Sequence, residues 1–183
     1  LENGQLQQLT SETENAHSPA WSPDGTSLAF AVNVSGGNYE IRTVDISSSS
    51  ITTRHSELGS ISGLSWKPDG SALSYQIRTY AGSEGMQADL KLLELETGQD
   101  EILSAKNADV FPFRASWTEN NTLIYTASGE IRRMIIGEAE TVIPFSASFN
   151  IERKPYLRRQ RSYDGAEKSA LGITAPVISN DGE

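Results

Sequence analysis

The sequence predicts an all-β chain, a partial β-propeller of four-stranded antiparallel blades, with three full blades plus fragments at both ends. Three observations carry this prediction. Residues 20–30, AWSPDGTSLAF, return at 65–75 as SWKPDGSALSY, with Trp, Pro, Asp and Gly in the same places. Trp21, Trp66 and Trp117 stand 45 and 51 residues apart, and VISNDGE puts Ile178 at the tryptophan position 61 residues further on. Self-similarity at this spacing marks a repeat architecture, and a unit of about 40–50 residues suits a four-stranded blade. No ten-residue stretch shows a 3.6-residue apolar period, so almost no helix is expected.

Each unit then reads strand by strand. The tryptophan strand runs into a turn in which proline sets φ, aspartate or asparagine bonds to the local backbone, and glycine accepts positive φ. A second strand follows it: Leu28-Ala29-Phe30 after SPDG, Leu73-Ser74-Tyr75 after KPDG, Leu123-Ile124-Tyr125 after TENN. A third strand is expected over 38–46, 88–98 and 129–138, and a short fourth over 100–103 and 141–145. GQLQQLT (4–10) resembles that fourth strand, left over from a preceding unit. The expected organisation is an outer strand of a preceding blade at 1–10, blades at 17–58, 61–104 and 113–145, an inter-blade excursion at 146–173, and the start of a next blade at 174–183.

Composition excludes several function classes. No stretch approaches the ~18 consecutive apolar residues of a membrane-spanning helix. The absence of cysteine removes disulfides, thiolate metal sites and a thiol nucleophile together. A net charge of −9 argues against a general nucleic-acid binder, which needs a basic surface. The charge is uneven: residues 1–150 carry nine bases against nineteen acids, whereas 151–168 carry six bases against three acids. Arg153, Lys154, Arg158, Arg159 and Arg161 alternate there with Tyr156 and Tyr163. Pro155 forbids a continuous basic helix, so this segment is expected to pack on the propeller or to dock an adjoining domain through Arg–carboxylate pairs.

The stretch SPAWSPDGTSLAF…NYEIRTVDI resembles the TolB-like β-propeller repeat, in which a Trp-Ser-Pro-Asp-Gly turn and an apolar second strand precede an Ile-Tyr-x-x-Asp strand. The second unit matches with Lys67 in place of serine, and the third keeps Trp117 but lacks Pro-Asp-Gly. The resemblance implies that the tryptophan strand lies nearest the central channel. Residues 148–183 are more particularly similar to the propeller region of bacterial proteins that join TolB-like repeats to an amidohydrolase domain. Tyr163-Asp164 stands for a Phe-Asp pair and Gly172-Ile173-Thr174-Ala175-Pro176-Val177-Ile178-Ser179-Asn180-Asp181-Gly182 for the blade start that follows it.

The chain's own chemistry is sparse. Its two histidines, His17 and His55, have no carboxylate or histidine partners at metal-ligand spacing in the sequence. His17 is expected at a turn or strand end, and His55 in a solvated loop. No serine lies in Gly-x-Ser-x-Gly; GSISG (59–63) has Ile61 at the nucleophile position and reads as the start of a blade. Phosphate-cradling glycine loops are absent. Asp24, Asp69 and Asp181 recur with the repeat, and an aspartate before glycine in a two-residue turn serves backbone bonding better than calcium. No catalytic, cofactor-binding or metal residues are therefore expected, and no cofactor.

Three units fall short of the ~4–8 blades of a closed ring. Uncovered blade faces and strand edges pair with other chains, so a neighbouring domain, a protein partner or self-association is expected to cover them. The resemblance implies a non-catalytic module of a larger periplasmic or secreted bacterial protein, serving protein interaction or gating a neighbouring amidohydrolase-like domain. The alternatives are the substrate-filtering propeller of a prolyl-oligopeptidase-type peptidase, or a stand-alone TolB-like interaction protein.

Overall fold

The computed structural model describes residues 8–10 and 15–152. The chain divides into two compact units, Leu1–Ser146 and Ala147–Glu183. All strands of the described residues lie in the first unit and form three four-stranded antiparallel sheets, each ordered as in the chain. The first blade holds β1 (Asn15–Trp21), β2 (Ser27–Asn33), β3 (Asn38–Asp45) and β4 (Ile51–Leu58). The second holds β5 (Ser60–Trp66), β6 (Ala72–Tyr80), β7 (Met86–Glu94) and β8 (Asp100–Ile102). The third holds β9 (Ser116–Glu119), β10 (Thr122–Ala127), β11 (Glu130–Ile135) and β12 (Thr141–Ile143). The only helical element among them is a 3₁₀ turn at Gly82–Glu84, and none is long and apolar enough to cross a membrane.

The second strands show why the chain stacks as blades. Ala29, Phe30, Ala31 and Val32 are all buried, as are all residues from Ala72 to Ile77. A strand buried on both faces reads as a continuous apolar run, and it needs a layer on each side. By contrast, the outer strand β4 is mostly exposed or half-buried. One apolar cluster joins Ala20, Ala29 and Ile41 of the first blade to Ile61, Leu64 and Tyr75 of the second. Another joins Ala88 and Leu90 of the second to Leu123, Tyr125 and Met134 of the third. The core therefore lies between blades, and β1, β5 and β9 are the strands that approach one another along the stack.

The tryptophans close these junctions. Trp66 Nε1 donates to the Ala20 carbonyl at 2.9 Å, crossing from the second blade to the first. Trp117 Nε1 donates to Ser74 Oγ at 3.1 Å, and that hydroxyl donates to the Ser65 carbonyl at 3.3 Å. Ser65 precedes Trp66 as Ala20 precedes Trp21, so the same carbonyl position is reached directly once and through a hydroxyl once. Trp21, with no blade on its other side among the described residues, is 59% exposed.

The turns obey the expected chemistry with a different length. Gly25, at φ +71°, donates its N–H to the Ser22 carbonyl at 3.0 Å, while Asp24 Oδ1 accepts from Ser22 Oγ at 2.6 Å and from Thr26 N–H at 3.1 Å. β1 ends at Trp21 and β2 begins at Ser27, and β5 ends at Trp66 and β6 begins at Ala72, so these are five-residue loops rather than two-residue turns. The third unit, with no Pro-Asp-Gly, pairs Glu119 with Thr122 and makes the short one. Its inner strand starts late: Val110 bridges Ala127, but Pro112 cannot donate to a ladder, and regular pairing resumes only in β9.

Of the expected outer strand at 1–10, residues 8–10 carry no strand and the rest lie outside the described residues. Residues 146–152 have no regular structure. The remainder of the basic excursion and the blade start at 174–183 also lie outside the described residues.

Candidate functional site

Strand β4 carries a polar group into the first junction. Tyr75 on β6 is fully buried, and its hydroxyl donates to Glu57 Oε2 at 3.0 Å. Lys91 on β7 donates to Glu57 Oε1 and, at 2.8 Å, to Asp100 Oδ2. His55 Nε2 lies 3.5 Å from Glu57 Oε2 and 3.8 Å from Asp100 Oδ1, beyond a good hydrogen bond, and its ring is 6.0 Å from that of Tyr75. The solvated loop expected for His55 is thus corrected: the residue pairs with Ile41 in the β3–β4 ladder and is half-buried, because β4 runs unbroken to Leu58.

The sequence shows no histidine–carboxylate cluster at metal-ligand spacing, but the fold brings such a group together. His55, Glu57 and Asp100 converge from two blades, with candidate ligand atoms all within 4.8 Å of one another. Lys91 decides what they do. Its ammonium already bonds both carboxylates, so a divalent cation would have to displace a resident cation and shed its own water. The group is an ion-paired clamp between blades.

A repeat the tryptophans hide lies beneath this clamp. Lys91 faces Tyr75 across the ladder, Arg132 faces Tyr125, and Arg42 faces Phe30. In the sequence these bases end Glu40-Ile41-Arg42, Asp89-Leu90-Lys91 and Glu130-Ile131-Arg132. Arg42 bonds Glu40 at 2.7 Å, and Arg132 bonds Glu130 at 2.8 Å and Glu140, which also accepts from the Tyr125 hydroxyl.

Burial pushes the Glu57 carboxyl up, but the neighbouring His55 imidazole, the Lys91 ammonium that bonds it and the Tyr75 hydroxyl outweigh it and hold the group at about 2, against an ordinary 4.5. Burial likewise disfavours the Lys91 ammonium, and Asp100 and Glu57 reverse this, raising its pKa. Because the Glu57 pKa is depressed in the folded state, its contribution is complete above 4.5 and is lost as the pH falls toward about 2. Glu57→Gln is expected to flatten the dependence of the urea midpoint on pH across that window while leaving the slope at higher pH unchanged.

A second feature lies at the rim between the first two blades. The β2–β3 hairpin, the β4–β5 link and the β6–β7 hairpin enclose a groove of about 570 Å³. Leu58, Tyr80 and Met86 stand around it, 65%, 76% and 61% exposed. Arg78 is its one charged lining residue. The link is held by Gly59 N–H donating to the Gly37 carbonyl at 3.0 Å.

The residues singled out in the sequence fall elsewhere. His17 lies within β1 at a bulge, not at a turn, with its ring 5.7 Å from that of Tyr39. Gly59 and Gly63 bracket the start of β5, and Asp24 and Asp69 serve their own turns. The basic run and Asp181 lie outside the described residues.

No family model matches this chain. No curated protein matches it either. Among solved structures it is similar to TolB from Acinetobacter baumannii, with a TM-score of 0.66 and 22% identity over 80% of this chain and 36% of that one. It is similar to the putative TolB from Agrobacterium tumefaciens (TM-score 0.58, 14% identity, 72% of this chain and 50% of that one). The β-propeller domain of the Trilobed protease from Pyrococcus furiosus also matches, with a TM-score of 0.51 and 20% identity over 74% of this chain and 45% of that one. The chain spans half or less of the length of each. Three consecutive four-stranded sheets, joined through their tryptophan strands, give this chain the fold of a partial TolB-like β-propeller.

Proposed function

We propose that the chain is a non-catalytic propeller module of a larger bacterial protein, placed in the periplasm or outside the cell, that binds a partner or gates a neighbouring amidohydrolase-like domain. The observation that carries this reading is the architecture: the polar group of His55, Glu57, Tyr75, Lys91 and Asp100 is spent on joining two blades, while Leu58, Tyr80 and Met86 stand exposed around one rim groove. The likeness of residues 148–183 to the propellers of TolB-repeat amidohydrolases supports the choice of neighbour. The similarity to the propeller domain of a protease favours a second reading, a substrate filter for a prolyl-oligopeptidase-type domain.

The downstream reading frame separates the two. A His-x-His pair opening a (β/α) barrel is expected, and the full-length protein then hydrolyses amide substrates in a metal-dependent way while the 183-residue chain alone does not. Gly-x-Ser-x-Gly followed by Asp and His would replace the first reading by the second. A frame that ends soon after the last blade would favour the stand-alone interaction protein.

A further inference from the structure

We propose that the outer edge of the first blade, strand β4, is a dimerisation site at which two copies of the chain join antiparallel into one eight-stranded sheet. The proposal goes beyond the module reading and does not depend on which domain adjoins the propeller.

β4 is an edge of a kind the other two blades avoid. Their outer strands, β8 and β12, have three residues each, whereas β4 has eight. Short strands, proline and lysine keep sheet edges from pairing with other chains. β4, ITTRHSEL, contains neither proline nor lysine and opens with three β-branched residues. Among the described residues no strand pairs with its far side, and residues 51–54, Ser56 and Leu58 are exposed.

The β3–β4 ladder fixes which backbone groups are free. Gly59 N–H donates to the Gly37 carbonyl at 3.0 Å just outside the Asn38–Leu58 pair, and Asp45 N–H to the Ser50 carbonyl at 3.0 Å just outside the Val44–Ile51 pair. Pairs flanked in this way exchange no hydrogen bonds themselves, so Leu58 and Ile51 turn their N–H and C=O groups away from β3. By alternation Ser56 and Thr53 do the same. Arg54 is the extra residue between the two halves, where the register shifts.

This set of residues is complementary to itself. One antiparallel register uses all four in each copy: Ile51 opposite the partner's Leu58 and Thr53 opposite the partner's Ser56, with every pair made twice about a two-fold axis. Ile51 and Leu58, 42% and 65% exposed, then cover each other at both ends, and hydroxyl side chains meet at the centre. An unrelated extended peptide satisfies the backbone groups but has no reason to bring an apolar residue to both ends and a hydroxyl to both central places. A second copy does so by symmetry. β4 lies at the end of its sheet away from β1, so this union leaves the tryptophan junctions intact.

Sedimentation velocity of the 183-residue chain from about 1 to 100 µM tests this. The weight-average mass is expected to rise toward twice that of one chain. Thr53→Lys together with Ser56→Lys sets like charges against each other at both central pairs, and is expected to weaken association about tenfold or more. Thr53→Glu together with Ser56→Lys sets opposite charges in the same places and is expected to preserve it. Both positions are exposed, and an unchanged thermal midpoint in dilute solution shows that the variants fold. Because the chain has no cysteine, chains carrying Thr53→Cys and Ser56→Cys can be mixed without background. Their Cα atoms would stand about 5.5 Å apart, within disulfide range, so the mixture is expected to cross-link under mild oxidation far more than either variant alone. A chain that stays monomeric, an association that the two charge variants change alike, or equal cross-linking of each variant with itself overturns the proposal. None of these results alters the downstream reading frame, so the module reading stands or falls separately.

Discussion

Replacing Trp66 by alanine is expected to lower the thermal midpoint of the 183-residue chain by about 12 °C, whereas the same change at Trp21 lowers it by a few degrees at most. The two residues hold the same place in the repeat, and sequence alone assigns them the same role. In the structure Trp66 packs on the apolar cluster shared by the first two blades and donates to the Ala20 carbonyl, while Trp21 is 59% exposed. Large aromatic truncations in such settings cost about 3–5 kcal/mol, and in a chain of this size each kcal/mol moves the midpoint by about 2–4 °C. Trp66→Phe separates the two contributions. It keeps most of the packed area and removes the indole donor, so a loss of about 1 kcal/mol is expected. Differential scanning calorimetry on the four proteins checks the series. Equal losses at Trp66 and Trp21 would mean that the indoles stabilise their own blades rather than the junction.

The fold was legible because its determinants are local. A turn that needs proline, aspartate and glycine writes those residues next to one another, and a second strand buried on both faces writes an unbroken apolar run such as Leu28-Ala29-Phe30-Ala31-Val32. The junction chemistry was not legible, because its partners come from different repeats: His55 and Glu57 meet Asp100 and Lys91 from the next blade. One signal was available. The acid-apolar-base triplet of the third strand recurs in all three units, ending at Arg42, Lys91 and Arg132, once per unit like the tryptophans but at its own spacings of 49 and 41 residues. The rim groove had no signal of this kind. Leu58, Tyr80 and Met86 belong to three different strand ends and are isolated from one another along the chain.

Gly63→Ser is expected to destabilise the chain by about 3 kcal/mol, although the matching residue of the first blade is already a serine. Both inner strands carry a bulge three residues before the tryptophan, with Ser18 at φ +54° and Gly63 at φ +60°. The left-handed backbone alone costs a non-glycine residue about 1–2 kcal/mol. The remainder comes from what stands opposite. Ser62 pairs with Gln76 where His17 pairs with Ala31, and a Cβ on Gly63 would lie 1.7 Å from Gln76 Oε1. To make room the Gln76 amide must swing away and release the Phe113 carbonyl, leaving buried polar groups unpaired at a further cost of about 1–3 kcal/mol. Glycine at 63 and glutamine at 76 are thus one choice, and serine at 18 with alanine at 31 is the other. Gly63→Ser combined with Gln76→Ala installs the first blade's pair in the second. The double variant is expected to be less destabilised than the sum of its single changes, with the coupling read by urea unfolding. Strict additivity would show that the bulge tolerates a Cβ and that Gln76 does not hold position 63 to glycine.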